Sequence, residues 1–383
     1  MTEDFPFIDL QAQRHRLGDA IDLALRRVLE RGDFIMGKEV AELERRLAGF
    51  CGARHAVACG SGTDALLLVL LGLGVGPGDA VFVPALSFVA TAETAPRIGA
   101  TPVFVDVRPD TLDMDAASLE AAIAEARRLG LKPRVVMPVD LYGQPADYAA
   151  LLAVAERHGL DLVADAAQSF GASLDGVPVG RLARHTAVSF FPAKPLGCFG
   201  DGGAVLTDDD GLADSVRSLR LHGKGTHKYD NVRIGMNSRL DTLQAAVLLE
   251  KLVIFPDEIV ARNRIAARYA QELAGTVELP TLRPGALSVW AQFVAFVPER
   301  ERIAAELGKR GIPTMIHYPI PLHRQAGYLG FPVAPGGAPE AERRCRNVLS
   351  LPMHAYLDDA RQDRVVAALR EAVSALPAGS AGA

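Results

Sequence analysis

Residues 161–207 read DLVADAAQSFGASLDGVPVGRLARHTAVSFFPAKPLGCFGDGGAVLT and contain three short apolar runs, Asp161–Asp165, Thr186–Phe190 and Gly203–Thr207. Each run is continuously apolar instead of alternating, which is typical of strands that are buried on both faces. Polar and glycine-rich segments follow the first two runs directly. The stretch therefore predicts strands of a covered sheet, with candidate functional residues at the strand ends, where ligands bind in open α/β sheets.

The same pattern extends toward the N-terminus. Four more runs alternate with amphipathic stretches such as Ala116–Leu129 and Tyr148–His158. Strands separated by helices indicate an α/β fold, with a mainly parallel sheet flanked by helices. The four runs are His55–Ala58, Ala80–Pro84, Pro102–Asp106 and Arg134–Asp140.

The pattern changes after Arg239. Leu240–Gln271 predicts long helical sequence that proline should break or bend near Phe255-Pro256. We therefore expect a large α/β domain with the N-terminal segment over residues 1–255, and a smaller C-terminal α+β domain over residues 256–383. The expected strands of the smaller domain are Gln292–Phe296 and Thr314–Tyr318, and its expected helices are Glu299–Gly311, Ala338–Val348 and Asp359–Leu376.

Composition limits the classes of function. The 383 residues are 49% hydrophobic and 23% charged, a profile typical of a folded globular protein. The 41 basic and 46 acidic side chains give a formal net charge of −5, which argues against binding to nucleic acid or to a membrane surface. The longest apolar stretch, Ala65–Gly76, is shorter than the roughly 18 residues of a spanning helix, and the first residues do not resemble a signal peptide. We expect a cytoplasmic protein.

Cysteine usage agrees with a reducing compartment. Cys51, Cys59, Cys198 and Cys345 form no CxxC pair and have no histidines at metal-ligand spacing. A disulfide framework is not expected in a chain this long with so few thiols. We expect reduced, mostly buried thiols and no metal site.

Three segments contain candidate functional residues, and the first is Cys59–Ala65 (CGSGTDA), between a predicted strand and a predicted helix. Its small residues would let backbone N–H groups approach an anion at the positive end of the helix dipole. Ordinary helix capping by Ser61 or Thr63 would explain the same residues. The glycines of residues 72–78 (GLGVGPG) follow a helix instead of opening one, so they predict a helix end and a turn, not a dinucleotide site.

The second and third segments supply an acid and an amine. Asp165 ends an apolar strand, where a carboxylate needs a cation or several hydrogen-bond donors; a helix N-cap is the alternative. Lys194 lies in apolar, glycine-flanked sequence just beyond a predicted strand, and Pro195 disfavours helical geometry at Lys194. Burial there would lower the pKa of the amine, as a lysine that forms a Schiff base requires. A lysine that extends from a loop into solvent is the alternative.

Together the three motifs resemble a known family. The order SGTDA, DAAQS and SFFPAKPLGCFGDGGA, beginning at Ser61, Asp165 and Ser189, resembles the fold-type I pyridoxal 5′-phosphate (PLP) enzymes, and more narrowly the DegT/DnrJ/EryC1/StrS nucleotide-sugar aminotransferases. The resemblance implies a PLP-dependent transferase that forms a homodimer with shared active sites. Further similar segments are Phe7–Leu10, Val89–Glu93, Leu141–Pro145, Asn237–Asp241 and His317–Pro319.

The resemblance also implies a role for individual residues. Lys194 would carry the cofactor and move protons in catalysis, and Asp165 would pair with the pyridinium nitrogen. Gln168 would lie near the phenolic oxygen of the cofactor, and Phe88 would stack on its ring. A sister group of dehydratases has histidine where this chain has Lys194, so the lysine favours transamination. The remaining implied contacts are to the cofactor phosphate, by Gly62, Thr63, Ser189 and, from the partner subunit, Asn237, and to the nucleotide sugar, by Arg239, His317 and Tyr318.

The implied substrate is a nucleotide keto-sugar. Residues 194–204, 237–246 and 317–323 are most similar to family members that aminate C3 of a UDP-linked 2-acetamido-3-keto-uronic acid, with glutamate as the amino donor. Such a reaction serves polysaccharide biosynthesis, for example that of a lipopolysaccharide O-antigen. Two alternatives stay open: a 4-keto dTDP- or UDP-hexose aminotransferase, and a non-catalytic PLP-binding regulator.

Three features bear on the choice of substrate. Asp140 stands where many family members have histidine or another residue, and Phe199 replaces the tyrosine that is common in the most similar ones. The loop His222–Asn231 (HGKGTHKYDN) is basic, which suits a diphosphate or a carboxylate; a solvated surface loop is the alternative. These features affect the expected sugar more than the expected reaction.

Overall fold

The computed structural model describes residues 5–227 and 229–377, and its centre is a seven-stranded sheet. The segment Pro377–Ala383, which the sequence suggests is frayed, lies almost wholly outside these residues. In chain order the strands are His55–Cys59 (β1), Asp79–Pro84 (β2), Thr101–Val105 (β3), Lys132–Val136 (β4), Asp161–Asp165 (β5), Ser173–Leu174 (β6), Val177–Pro178 (β7), His185–Ser189 (β8), Gly203–Thr207 (β9), Ala286–Leu287 (β10), Phe293–Phe296 (β11) and Val348–Leu351 (β12).

The large sheet has the order β1-β9-β8-β5-β4-β2-β3 and is mainly parallel, which confirms the predicted fold class. Strand β9 is the exception, because it pairs antiparallel with both β1 and β8. The glycine-rich loop that joins β8 to β9 contains no helix, whereas a parallel return to a neighbouring position usually runs through one. The β5–β8 pair is parallel, with Asp165 opposite Ala187, so the residues that follow these two strands leave from the same edge of the sheet.

Helices cover both faces of this sheet, as the continuous apolar strands predict. Successive residues of β1 point to opposite faces of the sheet: Val57 packs in the apolar cluster on one face and Ala58 in the cluster on the other. No helix within the two described ranges has both the length and the apolar character needed to traverse a bilayer. The helices are Leu10–Leu17 (α1), Asp19–Arg31 (α2), Lys38–Cys51 (α3), Gly62–Gly72 (α4), Ala90–Arg97 (α5), Ala116–Arg128 (α6), Tyr148–His158 (α7), Asp210–Leu219 (α8), Thr242–Glu272 (α9), Arg300–Lys309 (α10), Pro339–Asn347 (α11) and Asp359–Ser374 (α12), with short 3₁₀ turns at Leu141–Gly143, Leu322–Arg324 and Ala326–Tyr328.

The C-terminal region is built around the antiparallel pair β11 and β12. The predicted strand Thr314–Tyr318 is wrong: within it only Met315 forms a bridge, with Ser350 of β12. Strand β12 itself was not predicted, because the sequence assigns Val348 to the end of a helix and a run of four apolar or small residues does not distinguish strand from buried helix. The three predicted helices of this region are present, with shifted ends.

The long helix α9 is not broken at Pro256. Proline removes one intrahelical hydrogen bond and interferes with the preceding turn, but this ring lies on the exposed side of the helix. On the other side Phe255 and Ile259 are buried, and α2 and α3 pack along the same helix. The helix therefore continues past the proline because tertiary packing outweighs the local penalty. The expected domain boundary between residues 255 and 256 falls inside this helix and stays a prediction.

We predict that Pro256→Ala stabilises the protein, because it restores a backbone donor at an exposed helix position. Proline in a helix interior is about 3 kcal/mol less favourable than alanine, so a gain of roughly 1–3 kcal/mol in the free energy of unfolding is expected. Val253→Ala, at an exposed position of the same helix, is the control and should change stability by less than about 0.5 kcal/mol. Denaturant unfolding of the full chain measures both. A loss of stability in Pro256→Ala would show that the helix needs the proline geometry.

Candidate active site

A cavity of about 420 Å³ opens where the chain leaves β5 and β8 and enters α4. This volume falls within the usual range of small-molecule sites. The structure brings together nearly all of the sequence-predicted site residues here. Those that line the cavity are Gly62, Thr63, Phe88, Asp165, Gln168, Ser189, Lys194, His317 and Tyr318.

Asn237 and Arg239 do not line this cavity. Asn237 is exposed and pairs with Leu221 in an isolated bridge, whereas Ser238 between them is buried. The Ser238 hydroxyl accepts the Gly60 N–H at 3.0 Å and donates to Asp64 Oδ2 at 2.7 Å. The segment therefore runs beside the loop that follows β1, and the expected roles of Asn237 and Arg239 across a dimer stay predictions.

The start of α4 forms an anion cradle. Ser61 is the N-cap, and its Oγ accepts the Asp64 N–H at 3.0 Å, while the N–H groups of Gly62 and Thr63 have no intrahelical acceptor. A Cβ on Gly62 would lie 2.6 Å from Cβ of Ser189, so only glycine lets the two segments meet this closely. Free N–H groups, a helix N-terminus and a serine hydroxyl are the donors that a phosphate dianion requires.

Asp165 lies on the floor of the cavity and is 4% exposed. Its Oδ2 accepts from Thr91 Oγ1 at 2.7 Å and its Oδ1 from the Ala167 N–H at 3.1 Å. Thr91 Oγ1 is in turn 2.9 Å from Ser87 Oγ. Burial raises the pKa of Asp165, and the Thr91 hydroxyl and the nearby Lys194 oppose the shift. A carboxylate can accept about four hydrogen bonds, so Asp165 keeps capacity for a further donor.

Lys194 lies in the loop after β8 and is half-buried. Its backbone N–H donates to Phe191 O at 2.8 Å, which fixes the loop locally. Burial lowers the pKa of the Lys194 amine, and Asp165 partly opposes this shift. A larger fraction of the amine is therefore neutral at a given pH than for a lysine in water, as a nucleophile or base requires.

Gln168 has a fixed amide orientation. Its Oε1 accepts the Tyr142 N–H at 2.7 Å, so its Nε2 is left to donate, and it lies 3.3 Å from the Tyr318 hydroxyl. His317 Nδ1 is 2.8 Å from Ser350 Oγ, and the Tyr142 hydroxyl donates to the carbonyl of His317. Burial, with a smaller contribution from Lys194, lowers the pKa of His317 to about 4. The imidazole is therefore neutral at physiological pH.

These residues fit a bound PLP. The donors at Gly62 and Ser189 suit the phosphate. The Asp165 carboxylate can accept a further hydrogen bond, which suits a protonated ring nitrogen, and Lys194 supplies an amine in the same cavity. Phe88 is 51% exposed at the cavity edge, with its ring 6.0 Å from that of Tyr318, and offers a flat apolar face. No cluster of three or more metal-ligating side chains occurs within residues 5–227 and 229–377.

Sequence reasoning missed several residues of the site. Thr91 and Ser87 were not assigned a role, because Ser87 precedes α5 and the contact between the two hydroxyls depends on the turn that joins them. Asp201 and Gln292 also line the cavity, and Gln292 Oε1 is buried without a partner among the described residues. No sequence pattern indicates that Gln292 belongs to the site, because this residue reaches the cavity from the C-terminal region through tertiary packing.

The residues that depart from the family pattern lie outside the cavity. Asp140 is fully buried and binds the Ala146 N–H and the Tyr148 hydroxyl through Oδ1, and the Ser169 hydroxyl through Oδ2. Through Ser169, Asp140 therefore holds the segment that carries Gln168. Burial raises the pKa of Asp140 to about 7. The second residue that departs from the family pattern, Phe199, contacts the ammonium of Lys251, which lies 4.5 Å from the centroid of the Phe199 ring.

Comparisons with known proteins agree with this geometry. The model of the DegT/DnrJ/EryC1/StrS aminotransferase family matches residues 16–370. The chain is 46% identical to the UDP-2-acetamido-2-deoxy-3-oxo-D-glucuronate aminotransferase of Pseudomonas aeruginosa, over 95% of this chain and 99% of that protein. It is 40% identical to a pleiotropic regulatory protein of Geobacillus stearothermophilus, over 96% and 98% of the two chains.

Solved structures give the same result. A DegT/DnrJ/EryC1/StrS aminotransferase from Brucella abortus is 50% identical, with a TM-score of 0.94 over 96% of this chain and 99% of that one. DesV of Streptomyces venezuelae, solved with a ketimine intermediate, is 41% identical, with a TM-score of 0.93 over 98% and 100%. A sugar aminotransferase of Streptococcus pneumoniae in its PLP form is 29% identical, with a TM-score of 0.86 over 93% and 96%.

We predict that Thr91→Val weakens cofactor binding, because Asp165 then loses its hydroxyl donor. A hydrogen bond to a charged group contributes about 1.5–3 kcal/mol, but this contact is present before the cofactor binds, so only part of that energy affects the affinity and we expect binding up to roughly tenfold weaker. Since the Thr91 hydroxyl lowers the pKa of Asp165, its removal raises that pKa, and the loss of affinity should grow as the pH falls. Titrating PLP into the cofactor-free chain, followed by visible absorbance, measures the effect. Thr91→Ser keeps the hydroxyl and should bind nearly as wild type; equal binding by Thr91→Val would contradict the role of the contact.

Proposed function

The chain belongs to the DegT/DnrJ/EryC1/StrS aminotransferase family, and we propose that it transfers the amino group of glutamate to C3 of a UDP-linked 2-acetamido-3-keto-uronic acid. One observation carries the proposal: Lys194 and Asp165 share a cavity with an anion cradle. The choice of sugar rests on the Pseudomonas aeruginosa relative, UDP-2-acetamido-2-deoxy-3-oxo-D-glucuronate aminotransferase. The sequence motifs also resemble those of UDP-2-acetamido-2-deoxy-ribo-hexuluronate aminotransferase, and this resemblance supports the same class of sugar.

Bound PLP supplies an electron sink for the charge that develops on the carbon that loses its proton. Asp165 would hold negative charge near the ring nitrogen and thereby favour its protonated form. Lys194 Nζ would take the proton from the α-carbon of the donor and deliver it to the cofactor, which then keeps the amino group. In the second half of the cycle the same amine moves a proton in the reverse direction, toward the carbon of the sugar that gains nitrogen.

The other cavity residues would bind the cofactor and fix its orientation. The N–H groups of Gly62 and Thr63, with the Ser189 hydroxyl, bind the cofactor phosphate. Phe88 would cover the ring, and Gln168 Nε2 would be available to donate to the phenolic oxygen, because Gln168 Oε1 already accepts the Tyr142 N–H. Each of these groups fixes position before any bond changes, so the chemistry needs little further reorganisation.

The nucleotide sugar binds at the outer end of the cavity. We propose that His317 and Tyr318 contact it as neutral hydrogen-bonding groups, and that Arg239 contacts its anionic part. Arg239 and Asn237 lie outside the cavity of their own chain, which supports a homodimer in which each subunit completes the site of the other. The four cysteines are free and buried, which suits a cytoplasmic enzyme of polysaccharide biosynthesis such as that of an O-antigen.

The alternatives are a 4-keto-hexose aminotransferase and a non-catalytic PLP-binding regulator. A 4-keto hexose would use the same cofactor chemistry and differ only in the pose of the sugar against His317. A non-catalytic regulator has a relative in the pleiotropic regulatory protein, but the chain places a lysine, an acid and an amide around one cavity. That arrangement supports the enzyme.

We predict that Lys194→Ala abolishes amino transfer. Loss of a positioned general acid and base lowers rates by roughly 10²- to 10⁴-fold, and loss of the cofactor linkage adds to this. Lys309→Ala, at an exposed lysine of α10 that pairs with Glu306, is the matched control and should keep the wild-type rate. Stopped-flow absorbance of the PLP-loaded chain after mixing with glutamate gives both rates. A Lys194→Ala variant as fast as wild type would overturn the assignment.

The sugar is tested separately. The chain is first converted with glutamate to its amino form, freed of 2-oxoglutarate, and mixed in single turnover with either keto-sugar. We predict that the UDP-linked 3-keto-uronic acid restores the PLP spectrum at least tenfold faster than a UDP- or dTDP-linked 4-keto-hexose, since about 1.4 kcal/mol of discrimination suffices. Equal or reversed rates would favour the 4-keto sugar.

A further inference from the structure

A second, much smaller cavity lies on another side of Lys194. It has a volume of about 10 Å³, and Lys194 is the residue that lines both this cavity and the candidate active site. Its walls come from distant parts of the chain: Asp9 at the start of α1, Arg262 in α9, and His354 and Tyr356 after β12. No role for this space follows from the proposed function.

Two side chains of this wall have buried polar atoms without partners. His354 is 2% exposed, and within the described residues neither its Nδ1 nor its Nε2 has a hydrogen-bond partner. Arg262 is 6% exposed, and its Nε is also unpartnered, although its Nη1 donates to Trp290 O at 3.0 Å. A buried polar atom that is left unpaired lowers stability, so such atoms usually have a hydrogen-bond partner in the protein or in an ordered water molecule.

Apart from Lys194, several polar side chains of the wall already have partners. Glu258 accepts from Gln13 Nε2 at 3.0 Å and from the Tyr356 hydroxyl. Asp9 Oδ1 accepts the Ala12 N–H at 2.8 Å, as the N-cap of α1. The Gln13–Glu258 contact ties the N-terminal helix to α9, and His354 and Arg262 are the lining residues that have buried atoms without partners.

The chemistry of these groups selects the occupant. Burial, followed by the charge of Arg262, lowers the pKa of His354 to about 4, so the neutral ring offers one donor and one acceptor. Arg262 Nε offers a donor. A ligand that both donates and accepts is required, and a volume of about 10 Å³ accommodates roughly one water molecule. A halide would satisfy the donors but not the acceptor nitrogen.

We propose that this cavity binds one ordered water molecule, held by His354 and Arg262, that also contacts the Lys194 amine. The inference about its role rests on the proposed function. When Lys194 Nζ carries a proton taken from the donor, the water can accept that proton and return one of its own, so the number of protons on the amine does not change. The water thus makes the proton carried by Lys194 exchangeable with solvent.

The occupant is tested by a high-resolution crystal structure of the full-length, PLP-loaded chain. We expect one density peak within hydrogen-bonding distance of a His354 ring nitrogen and of Arg262 Nε. An empty cavity, in a map that shows other buried waters, would overturn the proposal. A peak that bromide soaking replaces with an anomalous signal would also overturn it, because the site would then bind an anion.

Two variants at His354 link the water to proton exchange. His354→Leu should exclude the water, whereas His354→Gln keeps a donor and an acceptor and serves as the matched control. With glutamate deuterated at the α-carbon, His354→Leu should retain several-fold more deuterium in the aminated cofactor than wild type or His354→Gln. Equal retention in all three would overturn the exchange role. If the wild-type chain transfers no amino group, the proposed function fails, but the crystal structure still decides whether the water is bound. The crystal structure of the wild-type chain also decides this if His354→Leu does not fold.

Discussion

The site depends on one electrostatic interaction through space, that of the Lys194 amine with the Asp165 carboxylate, which line the same cavity without a direct hydrogen bond between them. Burial works against both charged forms, raising the pKa of the acid and lowering that of the amine, and each charge partly offsets the shift of the other. The pairing exists because β5 and β8 are adjacent and parallel, so the segments that follow them leave the sheet at the same edge. A charged ring nitrogen bound between them would complete the arrangement, since Asp165 has capacity for another donor.

Much of this could be predicted from the sequence, and the reasons are physical. Continuous apolar runs indicate strands covered on both faces, and the rule that ligands gather at strand ends identifies Asp165 and Lys194 without any structure. Gly62 was recognisable because a small residue at a helix start admits an anion. The α/β fold class and the aminotransferase family are confirmed by the topology and by the comparisons.

Other features depend on packing that a linear pattern does not show. Thr91 reaches Asp165 across the sheet edge, and Gln292 enters the cavity from the C-terminal region. The helix through Pro256 and the strand Val348–Leu351 were missed because long-range packing outweighs local propensity there. The unpartnered nitrogens of His354 have no sequence signal, because they depend on how the segment after β12 packs against α9 and the N-terminal helix.

The central claim is that Lys194, and no other amine of the chain, bonds covalently to the cofactor. Reduction of the PLP-loaded protein with borohydride, followed by peptide mapping, tests it most directly. The account predicts a single modified peptide, with the label on Lys194 Nζ and none on Lys251, the other lysine whose pKa burial lowers. Labelling of a different residue, or no stable label, would contradict the account.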